Sequence, residues 1–301
     1  MKPLHVLLLS LTIFCQAATA QSPSKALVLQ TDFGLKDGAV SAMKGVAFGV
    51  SNDLKIFDLT HEIPAYNIWE AAYRLEQTAP YWPAGTVFVS VVDPGVGSER
   101  KSVVLQTNSG HYFVTPDNGT LTLIAKHLGI KAVREIDEKR NRLPGSSASY
   151  TFHGRDVYAY TGARLAAGVI PFDSVGPALP NAVISIPYQQ AEFREGIIYG
   201  NIPILDIQYG NVWTNIDAAT LAKLNLKFGD QLNVRILHNK KQVFAGVMPY
   251  VTTFAAVKRG LPLAYQNSLM NLSFAINYGN FAEKHKIASG PEWTVEVKSN
   301  R

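Results

Sequence analysis

The stretch from Thr86 to Arg100 constrains the fold of this chain more than any other part of its sequence. It reads TVFVSVVDPGVGSER. Its first seven residues are mostly β-branched or aromatic, which is typical of a buried strand. Pro94 then removes a backbone donor, and Gly95 and Gly97 allow backbone conformations that other residues rarely adopt. A loop therefore begins where the strand ends, which is where ligands bind in open α/β sheets.

The elements around this strand predict an α/β domain with a mainly parallel sheet, because strands and helices alternate up to it. The predicted elements before it are a strand at 26–31, a helix at 37–50 capped by Asp37, a strand at 54–59 and a helix at 67–79 capped by Asn67. Those after it are a hairpin of strands at 102–107 and 112–115, a helix at 120–128, a strand at 131–136 and a helix at 157–167.

Prolines, glycine and polar residues interrupt any long element between 176 and 195, which predicts a domain boundary near residue 185. The α/β domain would then span 22–185 and a second domain 195–301. Predicted strands in the second part are 197–207, 212–216, 231–237, 242–247, 272–277 and 293–297. This pattern of short strands and turns predicts a compact β-barrel or sandwich.

The N-terminus is typical of a secretory signal peptide. Lys2 supplies a positive charge, an apolar run extends from Leu4 to Cys15, and small residues end at Ala20. We therefore expect residues 1–20 to be cleaved and the protein to be exported, either to a periplasm or into the medium. The apolar run is shorter than the roughly 20 residues of a membrane span, so no stable membrane association is expected. Cleavage would remove Cys15, the only cysteine.

Charge and motifs exclude several classes of function. The formal net charge is +5, but the charges are scattered. The densest basic group, 138–142, contains an acid and is interpreted as a solvated loop, so no nucleic acid partner is expected. The sequence contains no HExxH, GxSxG or GxGxxG pattern, and no phosphate-binding GK[ST] follows the glycines of the loop. Neither a metal site nor a cofactor is predicted.

Chemistry-bearing residues follow the predicted strands and precede a predicted helix. They are Asp32, Asp93, Arg100 and His153. Each has a structural interpretation: Asp32 could cap a helix, Asp93 could stabilise a turn, and His153 could be a hydrogen-bonded residue at a helix start. Together they form a plausible general-base cluster. Residue types alone do not name the reaction.

Seven sequence blocks resemble the S-adenosyl-L-methionine (SAM) hydrolases, also called hydroxide adenosyltransferases, which are relatives of the fluorinases and chlorinases. These blocks are TDFGLKDGAVSAMKG (31–45), DLTHEIP (58–64), VVDPGVGSER (91–100), TPDNGTLT (115–122), TFHGRD (151–156), YGNVWTNI (209–216) and QNS (266–268). They occur in the family's order and are distributed over essentially the whole chain after the signal peptide.

The resemblance implies an N-terminal α/β domain, a C-terminal β-barrel domain and a homotrimer whose ligand lies between neighbouring subunits. It also implies that Asp93, Arg100 and His153 activate water for attack on the ribose C5′ of SAM, without a cofactor. Asp93 and His153 would orient the water and accept its proton, and Arg100 would stabilise the carboxylate or the hydroxide. The halogenating relatives have other residues at the Asp and His positions, so hydrolysis is the better match.

The resemblance also implies which residues of this chain bind the ligand. In the N-terminal domain, the resemblance places Asp32 at the ribose hydroxyls, Tyr66 beside the ribose and Phe152 at the pocket wall. Leu269 and Met270 depart from the family, which commonly has a small or polar stretch there.

The neighbouring subunit would contribute a second set of binding residues. Asp206 and Ser268 match groups that hold the amino and carboxylate ends of the methionine. Asn211 matches an adenine contact, and Trp213 and Phe254 match aromatic residues near the ligand. The alternatives to a SAM hydrolase are a SAM-dependent halogenase, a hydrolase of another adenosyl compound, and an exported nucleoside-binding protein without activity.

Overall fold

A computed structural model describes residues 24–300 of the 301-residue chain. The predicted signal peptide, residues 1–20, lies outside these described residues. Among residues 24–300, no helix has the length and apolar character needed to cross a membrane.

Within residues 24–300, the N-terminal part contains seven strands and five α-helices. The strands are β1 Ala26–Thr31, β2 Lys55–Thr60, β3 Val87–Val91, β4 Ser102–Gln106, β5 Tyr112–Pro116, β6 Ala132–Glu135 and β7 Ala178–Leu179. The helices are α1 Ala39–Val50, α2 Ile68–Thr78, α3 Thr122–Leu128, α4 Glu138–Asn141 and α5 Tyr160–Ala166. One π-helical turn, Gly154–Ala159, leads directly into α5.

The seven strands form one sheet in the order β2-β1-β3-β5-β4-β6-β7. Strands β2, β1, β3 and β5 pair in parallel, whereas β4, β6 and β7 add antiparallel pairings. The prediction of a mainly parallel sheet is confirmed. Because β1 and β3 are parallel neighbours, the loops that follow them emerge at the same edge of the sheet.

Alternation along the strands buries both faces of this sheet. Leu27 and Leu29 contribute to a core shared with α1 and α5, whereas Val28 contributes to a second core shared with α2 and α3. Successive side chains of a strand point to opposite faces, so one short strand supplies both layers. Phe88 and Phe113, on neighbouring strands, stack with ring centroids 4.9 Å apart in the second core.

Helix α5 lies unusually close to strand β3. A Cβ atom added at Gly162 would lie 2.4 Å from Cγ2 of Val89. Only glycine allows this approach. The close contact fixes the position of the π-helical turn that precedes α5, and with it the position of His153.

Up to Asn300, the last described residue, the C-terminal part contains nine strands and two short helices. The strands are β8 Glu192–Arg194, β9 Ile197–Ile202, β10 Ile204–Asp206, β11 Asn211–Trp213, β12 Gln231–His238, β13 Lys241–Pro249, β14 Pro262–Gln266, β15 Leu272–Ile276 and β16 Gly290–Ser299. The helices are α6 Ala218–Ala222 and α7 Phe281–His285.

These nine strands form two antiparallel sheets, in the orders β10-β11-β15-β14 and β13-β12-β16-β9-β8. Neither sheet closes on itself, so the predicted barrel is not confirmed. The two sheets share one apolar core, which includes Ile198 and Val295 from one sheet and Val212 and Phe274 from the other. The arrangement is that of two sheets packed face to face.

Three sequence predictions about local structure were wrong. The predicted strand 197–207 is divided at Pro203, and its halves belong to different sheets. The group 138–142, predicted to be a solvated loop, contains helix α4, and Asn141 is buried. Gly38 occupies the N-cap position of α1, and Asp37 only accepts a hydrogen bond from the Ala39 N–H at 2.9 Å.

Candidate active site

Asp93 and Arg100 lie near the two ends of the loop between β3 and β4. Two turns fold this loop, with the Val96 N–H donating to the Asp93 carbonyl (3.4 Å) and the Ser98 N–H to the Gly95 carbonyl (3.0 Å). Arg100 Nε donates to Asp93 Oδ1 at 2.9 Å, and its Nη2 donates to Asp93 Oδ2. A bidentate pair of this kind fixes both the position and the orientation of the carboxylate.

Buried hydroxyl groups support Arg100 from the side opposite Asp93. Arg100 Nη1 donates to Ser102 Oγ at 3.2 Å, and Ser102 Oγ lies 3.0 Å from the hydroxyl of Tyr158. The guanidinium carbon lies 5.8 Å from the centroid of the Tyr158 ring. Burial is the largest single influence and lowers the pKa of Arg100. The hydrogen bond to Asp93, together with the charges of Asp93, Glu138 and Tyr158, outweighs burial, so the pKa of Arg100 lies above its ordinary value.

His153 immediately precedes the π-helical turn and is buried. Its Nε2 lies 3.3 Å from Nη2 of Arg142 and 3.8 Å from Oε2 of Glu138. Its Nδ1 makes no hydrogen bond with the described residues. Burial is the largest influence on its pKa, which lies below the ordinary histidine value, so neutral imidazole is favoured near pH 7. π-Helical turns are frequent at functional sites.

Asp32 and Tyr66 line the same cleft as Asp93 and His153. Asp32 directly follows β1, and its Oδ2 accepts the Tyr66 N–H at 2.9 Å. Tyr66 is 71% exposed and has a φ of 68°. A positive φ is uncommon for a residue other than glycine, and such strain concentrates at functional sites. The Asp32 carboxylate thus helps to fix the backbone of Tyr66 in this conformation.

Phe152 packs edge-on against Phe33, with ring centroids 5.8 Å apart. A Cβ atom at Gly154 would lie 3.1 Å from the Phe33 ring, so glycine allows the two aromatic rings and the π-helical turn to approach one another. The guanidinium of Arg155 covers the Phe152 ring at 5.0 Å. These contacts build a firm apolar wall beside His153.

One cleft of about 280 Å³ brings together five of the predicted residues, with Arg100 directly behind Asp93. Its lining residues are Asp32, Phe33, Ala65, Tyr66, Val91, Asp93, Val96, Thr151, Phe152, His153 and Gly154. The mixture of apolar walls and a few convergent polar groups is typical of a small-molecule site.

A second cleft, in the C-terminal part, contains three more of the predicted residues. Its lining residues are Asp206, Tyr209, Asn211, Phe254, Tyr265, Ile276, Asn277, Tyr278 and Gly279. Asn211 Nδ2 donates to Asp206 Oδ2 at 2.8 Å, which orients both side chains. The rings of Phe254 and Tyr265 lie 5.0 Å apart. The two clefts share no lining residue, so within one chain the predicted set is divided between them.

Besides Arg100, which lies behind Asp93, two predicted residues line neither cleft. Trp213 is buried and packs with Tyr73 and Ile204 where the N- and C-terminal parts meet. Ser268 lies in the turn between β14 and β15 and is exposed. Its neighbour Leu269 packs against the same apolar cluster as Trp213.

The sequence did not reveal several residues at these clefts. Ser102 and Tyr158 support Arg100, and Glu138 and Arg142 contact His153. The i,i+4 spacing of Glu138 and Arg142 was the available signal, since it pairs opposite charges on one helical turn. Within the described part of the chain, no cluster of three or more His, Cys, Asp or Glu side chains has the arrangement of a metal site.

Comparisons with known proteins agree with the two-part architecture. Residues 27–176 match the model of the SAM hydroxide adenosyltransferase N-terminal domain, and residues 200–294 match that of the C-terminal domain. The chain is 40% identical over 216 residues to the (R)-S-adenosyl-L-methionine hydrolase of Methanocaldococcus jannaschii, covering 70% of this chain and 73% of the relative.

Longer matches include both hydrolases and fluorinases. The (R)-S-adenosyl-L-methionine hydrolase of Salinispora tropica is 33% identical, over 91% of this chain and 98% of its own. A fluorinase of Actinopolyspora mzabensis is 26% identical, over 88% and 94%. Among solved structures, a conserved protein from Thermotoga maritima aligns with a TM-score of 0.83 at 32% identity, over 90% of this chain and 99% of that one.

Proposed function

The chain belongs to the SAM hydroxide adenosyltransferase family, and we propose that it hydrolyses S-adenosyl-L-methionine to adenosine and L-methionine. The observation that carries this proposal is the bidentate Asp93–Arg100 pair, which shares one cleft with a buried histidine. An ordered carboxylate next to a neutral imidazole suits the orientation of a water molecule and the removal of its proton.

In the proposed reaction, the water oxygen forms a bond to the ribose C5′ while the bond between C5′ and sulfur breaks. The bonding electrons move to sulfur, so the sulfonium leaves as the neutral thioether of methionine. The proton of the water passes to the Asp93 carboxylate and then to solvent. Arg100 holds that carboxylate in place, and alignment of the oxygen, C5′ and sulfur supplies much of the acceleration. The positive charge of the sulfonium is lost, so a cleft with little water favours the transition state.

Substrate binding is proposed to use both clefts. Asp32, Tyr66 and Phe152 would contact the ribose from one subunit. Asp206, Asn211, Phe254 and Ser268, with Trp213 behind them, would contact the methionine and adenine groups from a neighbouring subunit. The division of these residues between two clefts of one chain supports a homotrimer in which each site is completed by the next subunit.

Incubation of the purified protein with SAM tests the proposed activity, with products separated by chromatography. We expect equimolar adenosine and methionine. Tight SAM binding without any product would overturn the proposal in favour of a binding protein. A chloride-dependent 5′-chloro-5′-deoxyadenosine product would instead identify a halogenase, a reaction related to that of the fluorinases the chain resembles.

We also propose that the protein is exported after cleavage of residues 1–20. The charged start, apolar run and small residues of the N-terminus support this. Mass spectrometry of the native protein tests it: the expected N-terminal residue is Gln21, in a periplasmic or secreted fraction. An intact Met1 on a cytoplasmic protein would contradict it.

A further inference from the structure

Arg142 makes a contact that constrains the protonation of His153. Its Nη2 lies 3.3 Å from His153 Nε2, within hydrogen-bonding distance. A guanidinium has five N–H donors, no acceptor, and does not lose its proton in proteins. His153 Nε2 must therefore accept this hydrogen bond and cannot carry a proton of its own. In a neutral ring the single proton then lies on Nδ1.

Arg142 is itself held from three sides. Its Nη2 donates to Glu138 Oε2 at 2.6 Å, and its Nη1 reaches the Ser149 carbonyl at 3.5 Å. The guanidinium carbon also lies 4.6 Å from the centroid of the Tyr150 ring. The Arg142 side chain is only 8% exposed. Such a planar, restrained guanidinium presents its donor in one direction.

Charges face His153 from two elements. Glu138 lies in α4, and Arg142 directly follows this helix. Asp93 and Arg100 lie in the loop between β3 and β4. After burial, which lowers the pKa of His153, the carboxylate of Glu138 raises it, and the guanidinium groups of Arg142 and Arg100 lower it. Glu138 Oε2 is 3.8 Å from His153 Nε2, too far for a hydrogen bond, so Glu138 acts through its charge and through Arg142.

We propose that Arg142 is a positioning residue, clamped by Glu138, that fixes the ring proton of His153 on Nδ1. His153 then serves the reaction as a hydrogen-bond donor to the attacking oxygen, and Asp93 alone accepts the proton of the water. The role in the reaction rests on the proposed hydrolysis of SAM, whereas the position of the ring proton does not. Asp93 is therefore the base and His153 the hydrogen-bond donor, whereas the sequence alone does not distinguish their roles.

The tautomer can be measured directly by ¹⁵N NMR of histidine side chains in the full protein. Loss of one signal set in His153→Gln assigns the resonance among the seven histidines of the sequence. We expect the unmodified protein to show Nδ1 protonated and Nε2 as an unprotonated acceptor. In Arg142→Met the ring should shift towards the Nε2-protonated form, and its pKa should rise. Arg140→Met changes an exposed arginine of α4, the helix that Arg142 directly follows; it is the matched control and should leave both unchanged.

Two outcomes would overturn the proposal: a proton on Nε2 in the unmodified protein, or an unchanged tautomer and pKa in Arg142→Met. Thermal unfolding of the two arginine variants shows whether a loss of folding explains any effect. Because this measurement needs no turnover, its failure is distinguishable from failure of the proposed hydrolysis.

The pH dependence of kcat/KM provides a second test if SAM is hydrolysed. Protonated His153 would keep its Nδ1 donor, but its positive charge would oppose binding of the cationic sulfonium. Activity should therefore fall on the acid side as pH drops through the pKa of His153. Removal of the Arg142 charge raises that pKa, so Arg142→Met should move the acid limb to higher pH and lower kcat/KM roughly tenfold or more. Glu138→Gln removes a charge that raises the pKa, so its acid limb should move to lower pH. Shifts in the same direction for both variants would contradict the assignment.

Discussion

Asp93 and Arg100 are seven positions apart, and their two hydrogen bonds make the side chains one rigid unit. The Asp93 and Arg100 side chains are only 6% and 11% exposed. At such burial an unpaired charge is costly, so each side chain keeps the other in place. The hydroxyls of Ser102 and Tyr158 extend this unit into the core of the domain. The orientation of the carboxylate is therefore set by the folded protein before any ligand binds.

Replacement of Asp93 tests the role of this carboxylate. Asp93→Asn keeps the shape of the side chain but removes the charge and the proton acceptor, so we expect turnover to fall by about 100-fold or more. SAM binding, measured by calorimetry, should remain. Asp53→Asn removes another acid paired with a lysine, 70% exposed, and should have no effect. Turnover of Asp93→Asn within twofold of the unmodified protein would show that another group takes the proton.

Replacement of Tyr158 is a milder test of the Asp93–Arg100 pair, because Tyr158 supports Arg100 only through Ser102. Tyr158→Phe removes the hydroxyl that contacts Ser102, and we expect unfolding free energy to fall by about 1 kcal/mol, the usual size of one buried hydrogen bond. Since Arg100 would lose part of its support, kcat should fall while KM changes little. Steady-state kinetics together with urea unfolding measure both. A variant that loses stability but keeps its kcat would limit Tyr158 to a structural role.

At the scale of elements, the site depends on how closely helix α5 packs on strand β3. Gly162 lies against Val89, and the π-helical turn before α5 positions His153. Strand β3 meanwhile delivers Asp93 at its carboxyl end. One helix–strand contact therefore sets the spacing between the two halves of the proposed water-activating group.

Two glycine variants distinguish the effect of this contact on stability from the effect of replacing any helical glycine with alanine. Gly162→Ala places a Cβ 2.4 Å from a buried valine methyl group, so we expect a loss of roughly 1–3 kcal/mol of unfolding free energy. Gly45→Ala, in α1 with no atom within 4 Å of the new Cβ, should instead gain roughly 0.5–1 kcal/mol. Urea unfolding of both variants measures the difference. Equal effects would show that α5 can move away from β3.

How far the sequence predicts these elements depends on how local their determinants are. The apolar run of β1 and the Asn67 cap, which accepts the Glu70 N–H at 2.9 Å, act within a few residues and were readable. The break at Pro203 was not, because it depends on which sheet each half of the segment joins. The same holds for the predicted barrel, since closure depends on pairing between distant strands.

At the scale of the whole molecule, the predicted site residues separate into two clefts. Sequence order could place Asp32 and Asp93 together, because parallel neighbouring strands end at one edge. It could not reveal Arg142 beside His153, since that contact requires α4 to fold back onto the π-helical turn. The separation of Asp206 and Asn211 from the first cleft agrees with the family resemblance, which assigned them to a neighbouring subunit.

A mixing experiment tests the proposal that neighbouring subunits share a site. Asp93→Asn and Asp206→Asn each alter a different cleft, and each alone should be inactive. If the two chains are unfolded together and refolded as mixed trimers, about one quarter of the sites should combine two intact halves. We therefore expect activity to recover to about one quarter of the unmodified level. A mixture as inactive as its components would contradict the shared site.

The central claim, attack of activated water at C5′, is tested most directly by isotope labelling. The protein is incubated with SAM in H₂¹⁸O and the products are examined by mass spectrometry. We predict adenosine carrying one ¹⁸O at its 5′-hydroxyl and unlabelled methionine, both formed about 100-fold or more slowly with Asp93→Asn. Failure to form labelled adenosine, or its replacement by a halogenated nucleoside, would contradict the account.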